Sequence, residues 1–477
     1  MSGMRGRFLA VAMIIDGSWD RWRSWQYAER YLGAGTRGYS RFSTYLDIGD
    51  TYHPQHGAPA FAVPSFVVPA GRGTFLRSGV ESALTDLYGD GENFLLPVHP
   101  EALSHAGLFG RESLLTFERG PDLLVVPSAN ARTVFVERIG ERPVEPHFVK
   151  LHYPKRVSRF TRRLRRPVIA LHLWVAEQLM AAGLPVLPEV AGGVLGHHEE
   201  DSWGFMIREA HPRVTTVTDT QATGRGDTAQ PGGRADTGPP GDRGNAGTIG
   251  DHGNAGTLGS RDAGTPDDQR DAGTPPYVVP LFALYGGDVR RPGDPTLMEQ
   301  LVARSGEDAA GWLARRVVAP VVGLWVEAVL RTGCALEPHG QNALFAFDGD
   351  GDRTAIVYRD CAVYIDPQIR RDLGLYGDLP PINVISRDIA MPREHVFSLT
   401  FDSFLAHHAL ERLAQVAEKT LGVAPEVLRE AAREAFTAGG GAGVPLPATV
   451  YYYDDLLRPD GKWRLVDTGR RPTWRCP

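Results

Sequence analysis

The densest group of side chains able to do chemistry is Glu337-Pro-His-Gly-Gln-Asn342, with Arg359-Asp360 at the end of the second apolar run that follows. Carboxylate and amide oxygens are hard ligands of the kind Mg²⁺ prefers. Glu337, Asn342 and Asp360 therefore form a candidate metal set if the chain folds Asp360 back beside Gln341 and Asn342. A capped turn with a structural ion pair accounts for the same residues equally well. A second group is Ser128-Ala-Asn-Ala-Arg-Thr133, followed by Lys150 and by a basic run containing Lys155, Arg156, Arg159, Arg162, Arg163, Arg165 and Arg166. Arg presents a planar fork and Lys a point charge, so this concentration suits a phosphate or a carboxylate. The plainer alternative is a solvated helix face. Three other groups read as structural. His99, held between Pro97 and Pro100, is a turn residue. Asp348-Gly-Asp-Gly-Asp352 lacks the Gly and closing Glu of a calcium loop and reads as a hairpin turn. His407 and His408 sit in an apolar helical pattern. No phosphate-binding loop, dinucleotide fingerprint, nucleophile elbow or HExxH is present.

The elements that must position these groups follow from periodicity. Alternating apolar runs at 61–68, 123–126, 133–137 and 147–153 predict strands. Residues 167–184 predict an amphipathic helix with Pro167 in its first turn and Gly183 near its end. The stretch 277–284 is short and apolar, and a long helical pattern covers 295–332. Runs at 343–347 and 354–358 predict a hairpin closed by Asp348–Arg353, and 397–416 and 425–436 predict helices. The aromatic-rich beginning around Trp19, Trp22, Trp25 and Tyr27 reads as irregular. Strands and helices are grouped rather than alternating, which defines an α+β class.

Composition bounds the partners. Of 477 residues, Lys+Arg 51 against Asp+Glu 57 leaves a net charge of −6, which argues against a generic nucleic-acid binder. Cys334, Cys361 and Cys476 are too few for a disulfide scaffold and fit a reducing, cytoplasmic setting. No apolar run reaches the roughly 18 residues of a membrane span, and the short run 8–15 reads as a buried strand or helix start rather than an export signal. Gly 55 and Pro 36 are in excess, and 14 Gly and 6 Pro fall in 216–276. There Gly241-Asp-Arg-Gly-Asn-Ala-Gly-Thr-Ile249 is echoed by Gly250-Asp-His-Gly-Asn-Ala-Gly-Thr-Leu258, and the copies then decay. A calcium-binding roll or partner-binding segment needs more good repeats than this, so 216–276 reads as a disordered insertion.

Taken in order, the groups resemble the IucA/IucC family of siderophore synthetases, which work independently of peptide synthetases. The resemblance runs through Pro97-Val-His-Pro100, Asn130-Ala-Arg-Thr133, Lys150-Leu151, Val157-Ser-Arg-Phe-Thr-Arg-Arg-Leu164, Met206-Ile-Arg-Glu209 and Val279-Pro-Leu-Phe-Ala-Leu284, and is most specific at Glu337–Asn342 and Arg359-Asp360. It covers roughly residues 95–375. It implies a hand-like architecture of fingers, palm and thumb, with mixed antiparallel sheets and C-terminal helices. On it, 1–94 is a divergent fingers-like region and 95–215 the first part of the nucleotide- and acid-binding region. After the insertion, 277–375 is a palm with the second half of the site, and 376–477 a thumb-like helical region. The implied activity uses ATP and Mg²⁺ to adenylate a carboxylic acid and then condenses it with an amine or hydroxyl. Asn130, Arg132, Thr133, Lys150, Gln341, Asn342 and Asp360 would hold the nucleotide, and Glu337, Asn342 and Asp360 the metal. Ser158, Arg162 and His339 would grip the acid, with Arg132, Lys150 and His339 as the catalytic set. The expected partners are small-molecule acid and amine or alcohol substrates and a second copy of the chain in a homodimer, with neither nucleic acid nor membrane. Three positions depart from the family pattern. Asn130 stands for a serine, Ser158 for a threonine, and the N-terminal Gly-His-Pro-x-His-Pro-x-x-Lys signature is reduced to His53-Pro-Gln-His56 with Ala60 at the lysine position. Either the start is truncated or the acid-binding fingers have diverged, and divergence is the preferred reading.

Overall fold

Alternation of apolar residues along successive strands builds a two-faced sheet. In the computed structural model the strands are β1 (Phe61–Val63), β2 (Ser65–Pro69), β3 (Gly73–Arg77), β4 (Asn93–Pro97), β5 (Leu123–Pro127), β6 (Thr133–Ile139), β7 (Arg142–Leu151), β8 (Tyr153–Val157), β9 (Phe160–Arg162), β10 (Glu189–Leu195) and β11 (Trp203–Glu209). Seven of them form one sheet in the order β1-β5-β6-β7-β11-β10-β3, with every neighbouring pair antiparallel. The run expected over 61–68 is two strands. Pro64 has no N–H to donate and interrupts the ladder, so β1 joins the large sheet while β2 pairs with β4.

The structure describes residues 14, 18–33, 47–105, 111–157, 160–196, 203–212, 277–349, 351–387, 391–453 and 465–476. Of the run 8–15, only Ile14 is among them, and it is buried. Residues 1–215 and 274–477 form one unit, and 216–273 a second that lies outside the described residues, as does the whole of the expected insertion 216–276.

One face of the large sheet is a dry core. Val134 and Val136 of β6, Val149 and Leu151 of β7, and Phe205 and Ile207 of β11 are all fully buried there. The intervening residues point the other way, where Phe135 and Phe148 pack with ring centroids 4.4 Å apart. Burying each of these rings contributes about 2–3 kcal/mol, and the ring pair adds about 1 kcal/mol. This second face is covered by two helices, α1 (Arg21–Tyr31) and α2 (Arg166–Ala181). The beginning read as irregular is therefore helical. Asp20 caps α1 by accepting from the Arg23 amide at 2.8 Å. Trp22, Trp25 and Glu29 recur at helical spacing, and Trp25 lies 5.1 Å from the Phe148 ring. α2 matches the expected helix, with Pro167 in its first turn and apolar residues on the sheet side.

Beyond the insertion, β12 (Tyr277–Pro280) leads to α3 (Leu297–Ser305), α4 (Ala309–Leu313) and α5 (Ala319–Thr332). The long helix expected over 295–332 is broken after Ser305. Gly306 takes φ +66°, a left-handed cap that suits glycine, and Asp308 starts the next helix by accepting from the Gly311 amide at 2.8 Å. A π-helical turn, Ala314–Val318, links α4 to α5. β13 (Cys334–Ala335) follows, then β14 (Ala343–Phe347) and β15 (Thr354–Tyr358), which form the predicted hairpin and a three-stranded sheet with β12. β16 (Tyr364–Ile365) returns to β13. A single helical run then passes from α6 (Arg393–Ser398) through a π-helical stretch, Leu399–Leu410, into α7 (Glu411–Leu421), before α8 (Pro425–Ala438) and the pair β17 (Tyr451–Tyr453) and β18 (Leu465–Asp467). The class is α+β. Among the described residues no helix is long and apolar enough to cross a membrane.

Candidate active site

The polar residues of the second sheet face fall next to one another because register places them there. Thr133 of β6 lies opposite Lys150 of β7, Lys150 opposite Met206 of β11, and Arg208 of β11 opposite Glu189 of β10. Charges on a buried face must be paired. Arg208 donates from Nε to Glu189 Oε1 at 2.9 Å and from a second nitrogen to the same oxygen. Lys150 Nζ donates to Asp360 Oδ1 at 2.7 Å across 210 residues of sequence.

The hairpin delivers Asp360. The Arg359 amide donates to the Asn342 carbonyl at 3.0 Å and Arg359 Nε to the Gln341 carbonyl at 2.8 Å, which folds Asp360 back toward the 337–342 loop. The segment after α2 ties the hairpin to the sheet. Leu187 donates to the Tyr358 carbonyl at 2.8 Å and Tyr358 to the Pro185 carbonyl at 2.9 Å, so Glu189 and Asp360 arrive at the same place. Tyr358 also receives the Glu337 amide at its hydroxyl, at 3.1 Å, and donates that hydroxyl to the Asp360 carbonyl at 3.0 Å. Asp360 adopts φ +76°, a left-handed conformation that costs an aspartate about 1 kcal/mol and persists because the hairpin and Tyr358 determine it.

The 128–133 turn is the other wall. Asn130 Oδ1 accepts from the Thr133 amide at 2.8 Å, and Ala131 takes φ +65° to close the turn. The Arg132 carbonyl accepts from Leu151 at 2.8 Å, anchoring the turn to the end of β7 beside Lys150. Thr133 Oγ1 is buried with no hydrogen-bond partner, a hydroxyl that a ligand oxygen would satisfy. Both walls meet at Glu29 of α1. Its carboxylate accepts from Arg359 Nη1, from Trp25 Nε1 at 3.3 Å and from the Ala129 amide at 3.3 Å. His172 of α2 completes the cluster. Its Nδ1 is 3.5 Å from Glu189 Oε1 and its Nε2 is 3.6 Å from Asp360 Oδ1.

Burial and neighbouring charge set the protonation states. Burial pulls the Lys150 ammonium down to about 8, with Asp360 opposing and Arg132 and Arg208 assisting. Burial pushes the Asp360 carboxyl up, but Lys150, His172 and Arg208 together hold it well below the usual range. Glu189 is likewise held at about 2 against burial, chiefly by Arg208. His172 is lowered by burial and then by Lys150. The ligand atoms of His172, Glu189 and Asp360 lie within 4.8 Å of one another. Lys150 and Arg208 already neutralise both carboxylates, however, and a divalent ion among these three residues would leave uncompensated positive charge in a buried space.

The donor set expected from sequence, Glu337, Asn342 and Asp360, lies on the 337–342 loop and at the hairpin end that folds back toward it. Asn342 Nδ2 donates to the Glu337 carbonyl at 3.2 Å, which leaves its amide oxygen for a ligand. Asp360 keeps Oδ2 beyond its bond to Lys150, and Glu337 is half-buried at the rim. His339 accepts at Nδ1 from the Gln341 amide at 3.2 Å, and its ring meets Phe404 of the π-helical stretch at 5.9 Å. Ser158 lies outside the described residues, and so does the side chain of Arg162, whose backbone closes β9 opposite Tyr153. His99 caps the turn after it by accepting from Glu101 at 3.2 Å, the structural role expected of it. Sequence reasoning missed Glu29, His172, Glu189 and Arg208. The signal for the last three was a charged or imidazole side chain set among apolar residues, which is expensive unless it is paired.

The fold has solved counterparts. The ATP-bound aerobactin synthetase IucA from a hypervirulent pathotype of Klebsiella pneumoniae superposes with a TM-score of 0.60 at 14% identity, over 98% of this chain and 81% of that one. Aerobactin synthetase IucC from the same source gives 0.55 at 15% identity, over 92% and 72%. The petrobactin biosynthesis protein AsbB from Bacillus anthracis str. Sterne gives 0.57 at 11% identity, over 90% and 71%. Residues 311–438, which include the Glu337–Asn342 loop and Asp360, match a family described as ferric iron reductase FhuF-like transporter. No curated protein matches the chain by sequence. The fold is that of the siderophore synthetases. The fold agrees with the IucA/IucC resemblance read from sequence.

Proposed function

We propose that the protein is an ATP-dependent synthetase of siderophore biosynthesis that adenylates a carboxylic acid, citrate-like or another polycarboxylate, and joins it to an amine or hydroxyl. The observation that carries this reading is the buried Lys150–Asp360 pair. It joins a phosphate-type turn, with the orphaned Thr133 hydroxyl, to an oxygen-rich loop suited to Mg²⁺, in a fold shared with an ATP-bound synthetase. In the first step an acid oxygen bonds to the α-phosphorus and the bond to the β-phosphate oxygen breaks, releasing pyrophosphate. In the second the amine or hydroxyl bonds to the acyl carbon and AMP leaves. Arg132 and Lys150 face the charge that builds on the phosphoryl oxygens, and preorganised cations of this kind lower such barriers by several kcal/mol. Mg²⁺ held by Glu337, Asn342 and Asp360 would neutralise the departing pyrophosphate. Gln341 and Asn130 border the nucleotide, and His339, Ser158 and Arg162 are assigned to the acid. A cytoplasmic homodimer fits the ATP requirement and the resemblance. The test is acid-dependent formation of AMP and pyrophosphate across a panel of citrate, succinate and 2-oxoglutarate with amine acceptors. AMP formed only when both ATP and one acid are present supports the reading.

A further inference from the structure

We infer that His172 is a positioning residue that takes over Asp360 when Lys150 turns from it to a nucleotide phosphate. This rests on the function proposed above. The two buried cations are not held alike. Arg208 gives two donors to Glu189, and both side chains are almost wholly buried. Lys150 gives one bond to Asp360, whose side chain is 23% exposed, so Lys150 is the cation that can be redirected. Its departure strips Asp360 of its one short side-chain bond, and a carboxylate left unpaired in such a place is costly.

His172 stands where that cost can be met. It is 1% exposed, with its ring between the two carboxylates at 3.5 Å and 3.6 Å, just beyond hydrogen-bond length on each side. A neutral imidazole carries one N–H. While Lys150 holds Asp360, that proton lies on Nδ1 facing Glu189 Oε1 across 3.5 Å, short of a formed hydrogen bond. When Lys150 moves to the phosphate, the same proton on Nε2 serves Asp360, and Glu189 can release it because Arg208 supplies two donors. Asp360 thus keeps its orientation throughout the exchange. The ring is set for this by α2, whose apolar residues Ile169 and Leu173 lock the helix onto the sheet face.

The experiment uses three variants of the full-length protein, with ATP binding followed by calorimetry with and without Mg²⁺. His172→Gln keeps a donor near the Nε2 position, His172→Asn one near the Nδ1 position, and His172→Leu neither. The expected result is wild-type-like affinity in the Gln variant, within about threefold, and roughly tenfold or greater weakening in the Asn and Leu variants. The KM for the acid should be unmoved, and the thermal midpoints of the free Gln and Asn proteins should agree within a degree or two. Equal affinity in all four proteins overturns the inference, as does equal weakening in Gln and Asn. Loss of affinity that tracks a fall in thermal midpoint also overturns it, because that is a purely structural role. A wild type that binds no ATP removes the proposed function itself, a failure visible before any variant is made.

Discussion

Glu29 is the most consequential residue outside the predicted site, and replacing it gives a quantitative test. Its carboxylate is fully buried and accepts from Arg359, Trp25 and the Ala129 amide, so it joins α1, the 128–133 turn and the hairpin. Glu29→Leu leaves the Arg359 guanidinium, only 5% exposed, with its Gln341 carbonyl contact but no counter-charge. Removing one partner of a buried pair costs about 3–5 kcal/mol. With an unfolding entropy of roughly 2.1 cal/mol/K per residue, about 400 folded residues lose approximately 1 °C per kcal/mol, so the thermal midpoint should fall by about 3–5 °C. Glu29→Gln keeps the acceptor oxygen and should lose about half as much. Arg359→Met alone should be destabilised to a similar extent, while the Glu29→Leu/Arg359→Met double variant should recover at least about 2 kcal/mol relative to the sum of the single changes. Scanning calorimetry and urea melts at neutral pH measure this. Strict additivity in that cycle, or an unchanged midpoint in Glu29→Leu, would refute the reasoning that Glu29 holds the two walls of the site together.

Arg132→Ala and Lys150→Ala should each lower acid-dependent pyrophosphate release by roughly 10²–10³-fold with the thermal midpoint little changed in Arg132→Ala, measured by a coupled phosphate assay. Burial holds His99, His147 and His152 each at about 4 in the folded protein, against an ordinary value of 6.5. Below pH 6.5 the unfolded chain takes up protons that the folded chain refuses, so stability present at pH 7 is lost as pH falls toward 4. Each histidine accounts for at most about 2 kcal/mol between pH 6.5 and 5. Urea midpoints at pH 7.5 and 5 should show the fall, and His99→Phe, in its aromatic surround of Tyr52, Phe61 and Tyr153, should remove about a third of it. A flat midpoint across that range contradicts the assignment.

Where local pattern decides structure, the sequence was readable. The hairpin at 343–347 and 354–358 follows from alternation and a turn that Asp348 closes through its own side chain. The α2 helix follows from its apolar spacing and Pro167. Where tertiary contact decides, it was not. The aromatic residues of α1 signal helix only once Phe135 and Phe148 supply a surface for Trp25. The break in 295–332 turns on one glycine, Gly306, that periodicity passes over. The site divides in the same way. Short motifs identify the Asn130–Thr133 turn, Lys150, the 337–342 loop and Asp360, because each is contiguous. Glu29, His172, Glu189 and Arg208 come from four separate segments, and only the register of β7, β10 and β11 and the docking of two helices bring them together. A charge inside an apolar segment says that it is paired, but not with what.

The proposed adenylate-forming site turns on the Lys150–Asp360 junction. Isotope exchange of labelled pyrophosphate into ATP, run with Mg²⁺ across a panel of polycarboxylates, tests it most directly. Exchange should require one particular acid and disappear in Lys150→Ala. Exchange that is absent with every acid, or that persists unchanged in Lys150→Ala, would contradict it.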